Sequence, residues 1–464
     1  MNPATTAIKT DYVPQTDRLG LLHRGVSVAL LAMLTVCLSV FVVGAEPKST
    51  CLIAALCLFA GGRRLFTAAV WPLLAIVGYG ILVSIFFHGE RPSIGLVFQN
   101  PLFMIDCMLL SALGLGGQSI RRQQVLMLGV LIISLVGVVG DYTGHDMISL
   151  LPFQMPDDGM FDLVTGSDVA RVRGFYAESG VLGAVSVGFA TMLGLGALVL
   201  IYARVRLRFA WLALCGAICM GGAIFCLTIT KSGLAMLAAG LTGFIIVLLL
   251  SRNPRCRAFA AAGLIGLAAG GAGFLVVGPP ALTGYFRGEI TAAIHPDEMG
   301  AAMASSHSGM ITRYKCWKLA FVTLEHHPLG VGHYGLGTVV QEQGEDMLNN
   351  ELRFFFSRDI FGLKNAFANL IAECGIVGLG LLFYWLWTAF LKPIGHYLAD
   401  GSARSTVIAG FYGASALGCL VFLFSCELYP SFAFLLVLKF HADAIAQACE
   451  GEVDISTEAT ELIA

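Results

Sequence analysis

Charge is what this sequence has least of. Only 12% of its 464 residues are Asp, Glu, Lys or Arg, where a soluble domain carries roughly 25%. No block of like charge is long enough to track a polyphosphate backbone, and the net charge is −2, which excludes nucleic acid as a partner. There is no Cys-x-x-Cys pair among the thirteen cysteines. Those at Cys37, Cys51, Cys215, Cys219 and Cys419 sit inside apolar runs, so they read as small packing residues and not as a disulfide frame or a zinc site. No repeat of fixed period is present. The polar stretch from Met1 to Arg24 is followed by an apolar run without a small-residue cleavage pattern, so that run reads as a signal anchor and not as a removable leader.

What is there is apolar, with 57% hydrophobic residues and a mean hydropathy of +0.80. Runs near the 20 residues that a helix needs to cross a bilayer occur at Val26–Gly44, Ser49–Gly61, Thr67–Phe87, Pro101–Gly116, Val125–Tyr142, Ser179–Ala203, Phe209–Thr228, Gly233–Leu250, Ala258–Gly278, Ala366–Leu391, Thr406–Phe424 and Ser431–Cys449. The expected fold is an all-α integral membrane protein of about twelve transmembrane helices, with one large periplasmic loop containing short helices. The expected divisions are a cytoplasmic tail at 1–25, a transmembrane bundle at 26–278 that includes an outer loop at 144–177, the large loop at 279–365, C-terminal helices at 366–449 and an acidic tail at 450–464.

Orientation follows from the short loops, because cytoplasmic ones collect Lys and Arg. Alternate loops carry Arg63 and Arg64, Arg121 and Arg122, Arg204, Arg206 and Arg208, Arg252, Arg255 and Arg257, and Lys392 with Arg404. The intervening loops are poor in positive charge. Both termini are therefore expected inside and the large loop outside, in the periplasm if the host is Gram-negative.

Four polar clusters share the outer side in this topology. They are Arg171 to Gly180 with Arg173 and Glu178, the turn Thr228 to Gly233 with Lys231, the stretch Arg313 to Tyr334, and the re-entry Lys364-Asn365 to Gly378 with Asn369 and Glu373. Arginine near a span end can simply reach lipid headgroups. A lysine in so tight a hairpin needs water or a polar cavity. Glu373 lies too far into its run to cap a helix N-terminus and needs a polar partner. Asp106, mid-run, is left without a role.

Within the third cluster, Tyr314, Trp317, Phe321 and Leu324 fall at helical spacing, so 311–325 is expected to be a helix with an aromatic stripe. Arg313, one turn before Trp317, offers a guanidinium whose planar fork suits phosphate oxygens. Pro328-Leu-Gly-Val-Gly332 then ends the helix in a tight turn. It is no nucleotide loop, since no strand precedes it. His326, His327 and His333 lack metal-ligand spacing, so neither metal nor cofactor is expected.

These clusters, in this order and on this side, resemble the O-antigen ligase and polymerase superfamily, whose members are polytopic glycosyltransferases acting on undecaprenyl-diphosphate-linked glycans. Arg171 to Glu178 is similar to the family's Arg-rich entry before a span. Thr228 to Ser232 is similar to its inter-span turn, with Lys231 near the usual Arg. Arg313, Trp317, His327, Pro328, Leu329 or Gly330, and Gly332 match its helix and Pro-Gly turn. Asn365, Leu370, Glu373, Gly375 and Gly378 match its re-entry. The family's re-entry His is Lys364 here, and the Pro after Glu178 is absent.

The resemblance implies metal-independent transfer of glycan from a lipid diphosphate at the periplasmic face. Arg171, Arg173, Lys231 and Arg313 would hold the diphosphate. The base is to be sought among His333, Glu178, His327 and Lys364, with His333 preferred because imidazole titrates near neutrality. Tyr314, Trp317, Tyr334, His327, Asn365 and Glu373 would position saccharide or loop. The replaced His tilts the acceptor toward a growing repeat-unit chain, making the protein a polymerase of O-antigen or exopolysaccharide with a flippase and a chain-length regulator as partners. The alternatives are a ligase acting on lipid A core or, in a different class, a lipid-linked glycan flippase, which would place its polar residues at the midplane.

Overall fold

The computed structural model describes residues 67–87, 94–145, 147, 179–205, 207–228, 230–277, 309–333, 335–336, 365–425 and 428–461. All their regular structure is helical: α1 Trp71–Phe87, α2 Ile94–Leu115, α3 Ile120–Tyr142, α4 Ser179–Tyr202, α5 Leu207–Thr228, α6 Lys231–Leu250, α7 Pro254–Val277, α8 Gly309–His326, α9 Ala366–Leu386, α10 Lys392–Asp400, α11 Ala403–Ser425 and α12 Leu428–Glu461. A π-helical turn, Trp387–Leu391, joins α9 to α10.

Among the described residues eight helices are long and apolar enough to cross a membrane: α3 to α7, α9 running on through α10, α11 and α12. The runs expected at 67–87 and 101–116 coincide with α1 and α2, whose apolar stretches are shorter. The runs at 26–44 and 49–61 lie outside the described residues.

Helix α4 is the centre of the bundle, and small residues let its neighbours approach. A Cβ on Gly188 would meet Met236 of α6 and Phe434 of α12, and one on Gly240 of α6 would meet Thr191. Phe189 stacks on Phe434 with ring centroids 5.0 Å apart. Gly243 of α6 and Gly413 of α11 touch through their backbones, while Ser251 and Thr406 share a hydrogen bond of 3.1 Å. This antiparallel register brings Lys231, the first residue of α6, level with Ser425, the last of α11. Toward the other end, Lys439 pairs with Asp443, the Tyr412 hydroxyl donates to Asp443 at 2.6 Å, and Tyr397 donates to Glu450 at 2.7 Å.

Asp106 is 2% exposed within α2, and neither carboxyl oxygen has a hydrogen-bond partner among the described residues. We have no physical account of it.

Candidate functional site

The site is built on a break in α9. At Gly375 the backbone turns to φ 55°, ψ −149°, a left-handed conformation that glycine alone adopts at no steric cost. In an unbroken helix the carbonyls of Ala372 and Glu373 would accept from the amides of Ile376 and Val377. Here the segment 327–333 supplies the partners. Val331 N–H donates to Ala372 O (3.0 Å), Gly332 N–H to Glu373 O (2.9 Å), and Ile376 N–H to Pro328 O (3.0 Å). A helix interrupted at membrane depth must have its freed backbone groups satisfied by protein, and this plug does so. An unmade buried hydrogen bond costs about 1–3 kcal/mol, so the plug and the break stand or fall together.

The plug's own glycines follow from this fit. Gly330 (φ +89°) and Gly332 (φ +77°) are left-handed. A Cβ on Gly330 would lie 2.7 Å from the carbonyl carbon of Glu373, and one on Gly332 would lie 2.6 Å from Cα of Ser84. The Pro-Leu-Gly-Val-Gly turn is therefore required by close backbone approach on two sides.

Glu373 finds the polar partner its position called for. Nδ1 of His333 donates to its Oε2 at 2.6 Å, with both residues 1% exposed. Such a charge-assisted bond is among the stronger ones. Nε2 of His333 faces the carbonyl of Val77 in α1 at 3.4 Å, and the ring lies flush against Gly80. Among the described residues the imidazole is thus enclosed, with Nδ1 on Glu373 and Nε2 toward the Val77 carbonyl.

Asn365 caps α9, its Oδ1 accepting from Ala368 N–H at 3.0 Å while its Nδ2 donates to Phe424 O at 3.2 Å. Trp317 of α8 lies 5.2 Å from the Phe424 ring, 5.3 Å from Phe367 and 5.5 Å from Phe321. Its contacts are thus with protein rings. The helix expected at 311–325 is present as α8, but its buried face is Cys316, Leu319, Ala320 and Thr323, whereas Phe321 is 54% exposed. Of the expected stripe, Trp317 and Leu324 pack partly buried against this cluster, which includes Ala368, Ile371 and Ala372 of α9, while Phe321 stays outside it.

The Thr228–Gly233 turn is fixed by Thr230, whose Oγ1 caps α6 by accepting from Gly233 N–H at 3.3 Å and packs against Gly183 in the first turns of α4. That glycine follows Glu178 by five residues in the sequence. Lys231 opens α6, and Arg313 and Tyr314 lie early in α8; their backbone positions alone are described. Arg171, Arg173, Glu178, Tyr334 and Lys364 lie outside the described residues. His327 is partly buried, and its Nε2 is enclosed without a hydrogen-bond partner among the described residues.

Sequence reasoning passed over α1. The Tyr79 hydroxyl donates to Leu329 O at 2.9 Å, and the Ser84 hydroxyl reaches both Gly80 O (2.8 Å) and His333 O (3.2 Å). A tyrosine, a glycine and a serine in an otherwise apolar run were the available signal.

Residues 218–383 match a family described as O-antigen ligase. This stretch contains the Thr228 turn, α8, the plug and most of α9, and the resemblance to the O-antigen ligase and polymerase superfamily holds over it. Among curated proteins none matches the chain. The protein is thus read as a multi-pass membrane protein that is similar, over residues 218–383, to the O-antigen ligase family.

Proposed function

We propose that the protein is a glycosyltransferase acting at the periplasmic face of the inner membrane, polymerising repeat units of O-antigen or exopolysaccharide carried on undecaprenyl diphosphate. The single observation that carries this reading is the match of 218–383 to the O-antigen ligase family over the residues that form the clamped break in α9. In the reaction an acceptor hydroxyl attacks the anomeric carbon of the donor glycan. A glycosidic bond forms, the bond from that carbon to the phosphate oxygen breaks, and the lipid diphosphate leaves with the electron pair. The hydroxyl proton passes to a base.

Arg171, Arg173, Lys231 and Arg313 stabilise the charge that develops on the diphosphate. They serve where other transferases use a divalent cation, so elongation is expected to persist in a chelator. The base is Glu178, Lys364 or His327. Of these, His327 is the one whose surroundings are described: it is partly buried, and its Nε2 has no hydrogen-bond partner among the described residues, which leaves it in need of one. His333 acts from behind, holding Glu373 and the plug. Asn365 and Trp317 tie the outer ends of α8, α9 and α11 beneath the saccharide.

The test is elongation by the purified, reconstituted protein given a lipid-linked oligosaccharide. Longer lipid-linked chains are expected without any lipid A core. Product only when lipid A core is added indicates a ligase, and no transfer to either acceptor sinks the transferase reading. Arg313→Ala and Arg173→Ala are expected to lower the rate by about 10²-fold or more, and His327→Gln by roughly 10²-fold. Full activity in Arg313→Ala at normal abundance removes that residue from the diphosphate site.

A further inference from the structure

Helix α1 lies outside the residues that match the family, yet it holds the second edge of the plug. On one edge, Pro328, Val331 and Gly332 exchange backbone hydrogen bonds with α9. On the other, Leu329 and His333 are held by Tyr79 and Ser84 of α1. The side chain of His333 bridges the two, with Nδ1 on Glu373 and Nε2 toward Val77 O. The plug continues directly from α8, and His327 N–H still donates to Thr323 O at 2.7 Å. Any shift of α1 therefore moves the plug and, through it, α8.

Two glycines of α1 separate this arrangement from ordinary helix packing. A Cβ on Gly80 would overlap the His333 ring, 2.7 Å from Cε1 and 2.9 Å from Cδ2, while a Cβ on Gly78 would have nothing within 4 Å. The two positions lie on one helix, two residues apart, and only one of them is a seat for the imidazole. The space at Gly80 is a matched cavity for a ring that is itself fixed by a buried carboxylate.

We infer that α1 is a positioning element of the transferase site, with Gly80 as the seat of His333 and the Tyr79 and Ser84 hydroxyls as its fasteners. This inference rests on the proposed transferase reading. Tyr79, Gly80, Ser84 and His333 do not touch the reacting atoms. They set the height and orientation of the plug, and hence of His327 and the α8 residues that meet the donor. Misplacing a reacting group by about 1 Å costs on the order of 10²-fold in rate. The loss falls mainly on kcat, because proton transfer at His327, the residue next to the plug, depends on position more steeply than charge attraction by Arg171, Arg173 and Lys231, which lie outside α8.

The experiment measures kcat and donor KM for the full-length, reconstituted protein elongating a lipid-linked oligosaccharide, with rates normalised to folded protein. Gly80→Ala is expected to lower kcat at least tenfold, with KM within about twofold of wild type. Gly78→Ala is expected to stay within about twofold on both. Tyr79→Phe is expected to lower kcat about threefold. The decisive comparison is with the ring removed: Gly80→Ala in a His333→Ala background is expected to cost nothing beyond His333→Ala alone, because the methyl group then has room. Equal kcat for Gly80→Ala and Gly78→Ala overturns the inference, as do Gly80→Ala and His333→Ala losses that simply multiply. If Gly80→Ala fails to accumulate in membranes, Tyr79→Phe and the His333→Ala pair decide instead, and an unchanged kcat in Tyr79→Phe overturns it. A wild-type protein that transfers nothing fails the transferase reading itself, a result distinct from all of these.

Discussion

Gly375 in α9 and Gly270 in α7 both sit well inside apolar helices of similar length, 21 and 24 residues, and they have little else in common. Gly375 is left-handed, and a Cβ there would lie 2.6 Å from the carbonyl carbon of Leu329. Gly270 is helical, exposed, and has nothing within 4 Å of its would-be Cβ. One glycine is the hinge on which a helix breaks to admit a loop; the other belongs to a peripheral helix rich in small residues. Abundance of glycine, 55 in the chain, therefore says little until each position is placed. The region around Gly375 is a lock in which every part presumes the others, while α7 is a helix that tolerates change.

The lock breaks most completely at its buried pair. Glu373→Ala leaves the His333 imidazole enclosed without its partner, and losing one member of a buried hydrogen-bonded pair costs about 3–5 kcal/mol. Thermal unfolding in lipid nanodiscs is expected to show that loss, with Glu373→Gln, which keeps an acceptor oxygen, recovering a large part of it. A Glu373→Ala protein as stable as wild type removes the pair from the structure of the lock.

Next in size is Gly375→Ala. A non-glycine residue at this positive φ and extended ψ costs roughly 1–3 kcal/mol, and the added methyl also pushes Pro328, Leu329 and Gly330 out of the break, for about 3 kcal/mol or more in all. The distinguishing result is locality. Amide hydrogen exchange is expected to rise at Val331, Gly332 and Ile376 before it rises in α4, since the three inter-segment bonds open first. Uniform acceleration across the bundle contradicts this order.

Much of this was legible beforehand, and the limits have physical reasons. Long apolar runs announce membrane helices, because lipid demands internal hydrogen bonding over a fixed length. α3 to α7, α9, α11 and α12 accordingly fall where the runs do. Glu373 was legible as a residue in need of a partner, because its depth excluded capping; His333 was not legible as that partner, because 40 residues separate them and no periodicity links them. The break at Gly375 is invisible for a similar reason. Glu-x-Gly-x-x-Gly in an apolar run has the form of close helix packing, and only the plug's three backbone bonds turn it into a hinge. The apolar stripe of α8 was legible only in part, since Trp317 and Leu324 do pack on the α9 contact while Phe321 is exposed, and apolar spacing marks a face without saying which of its members the neighbour covers. Tyr79, Gly80 and Ser84 passed as ordinary span residues because their partners lie some 250 positions away.

The smallest effect sharpens the comparison from the other side and has the opposite sign. Gly270→Ala in α7 meets no atom and takes up no strained dihedral, so the substitution removes backbone freedom from the unfolded chain at no cost to the folded one. A gain of about 0.5–1 kcal/mol is the expectation for glycine to alanine inside a helix, read as a slightly raised unfolding temperature with unchanged elongation. The sign carries the weight, since the same chemical change at Gly375 is expected to be destabilising by several times as much. A loss of stability at Gly270 would mean that another surface packs closely there, and α7 would then have to be counted with the constrained half of the molecule.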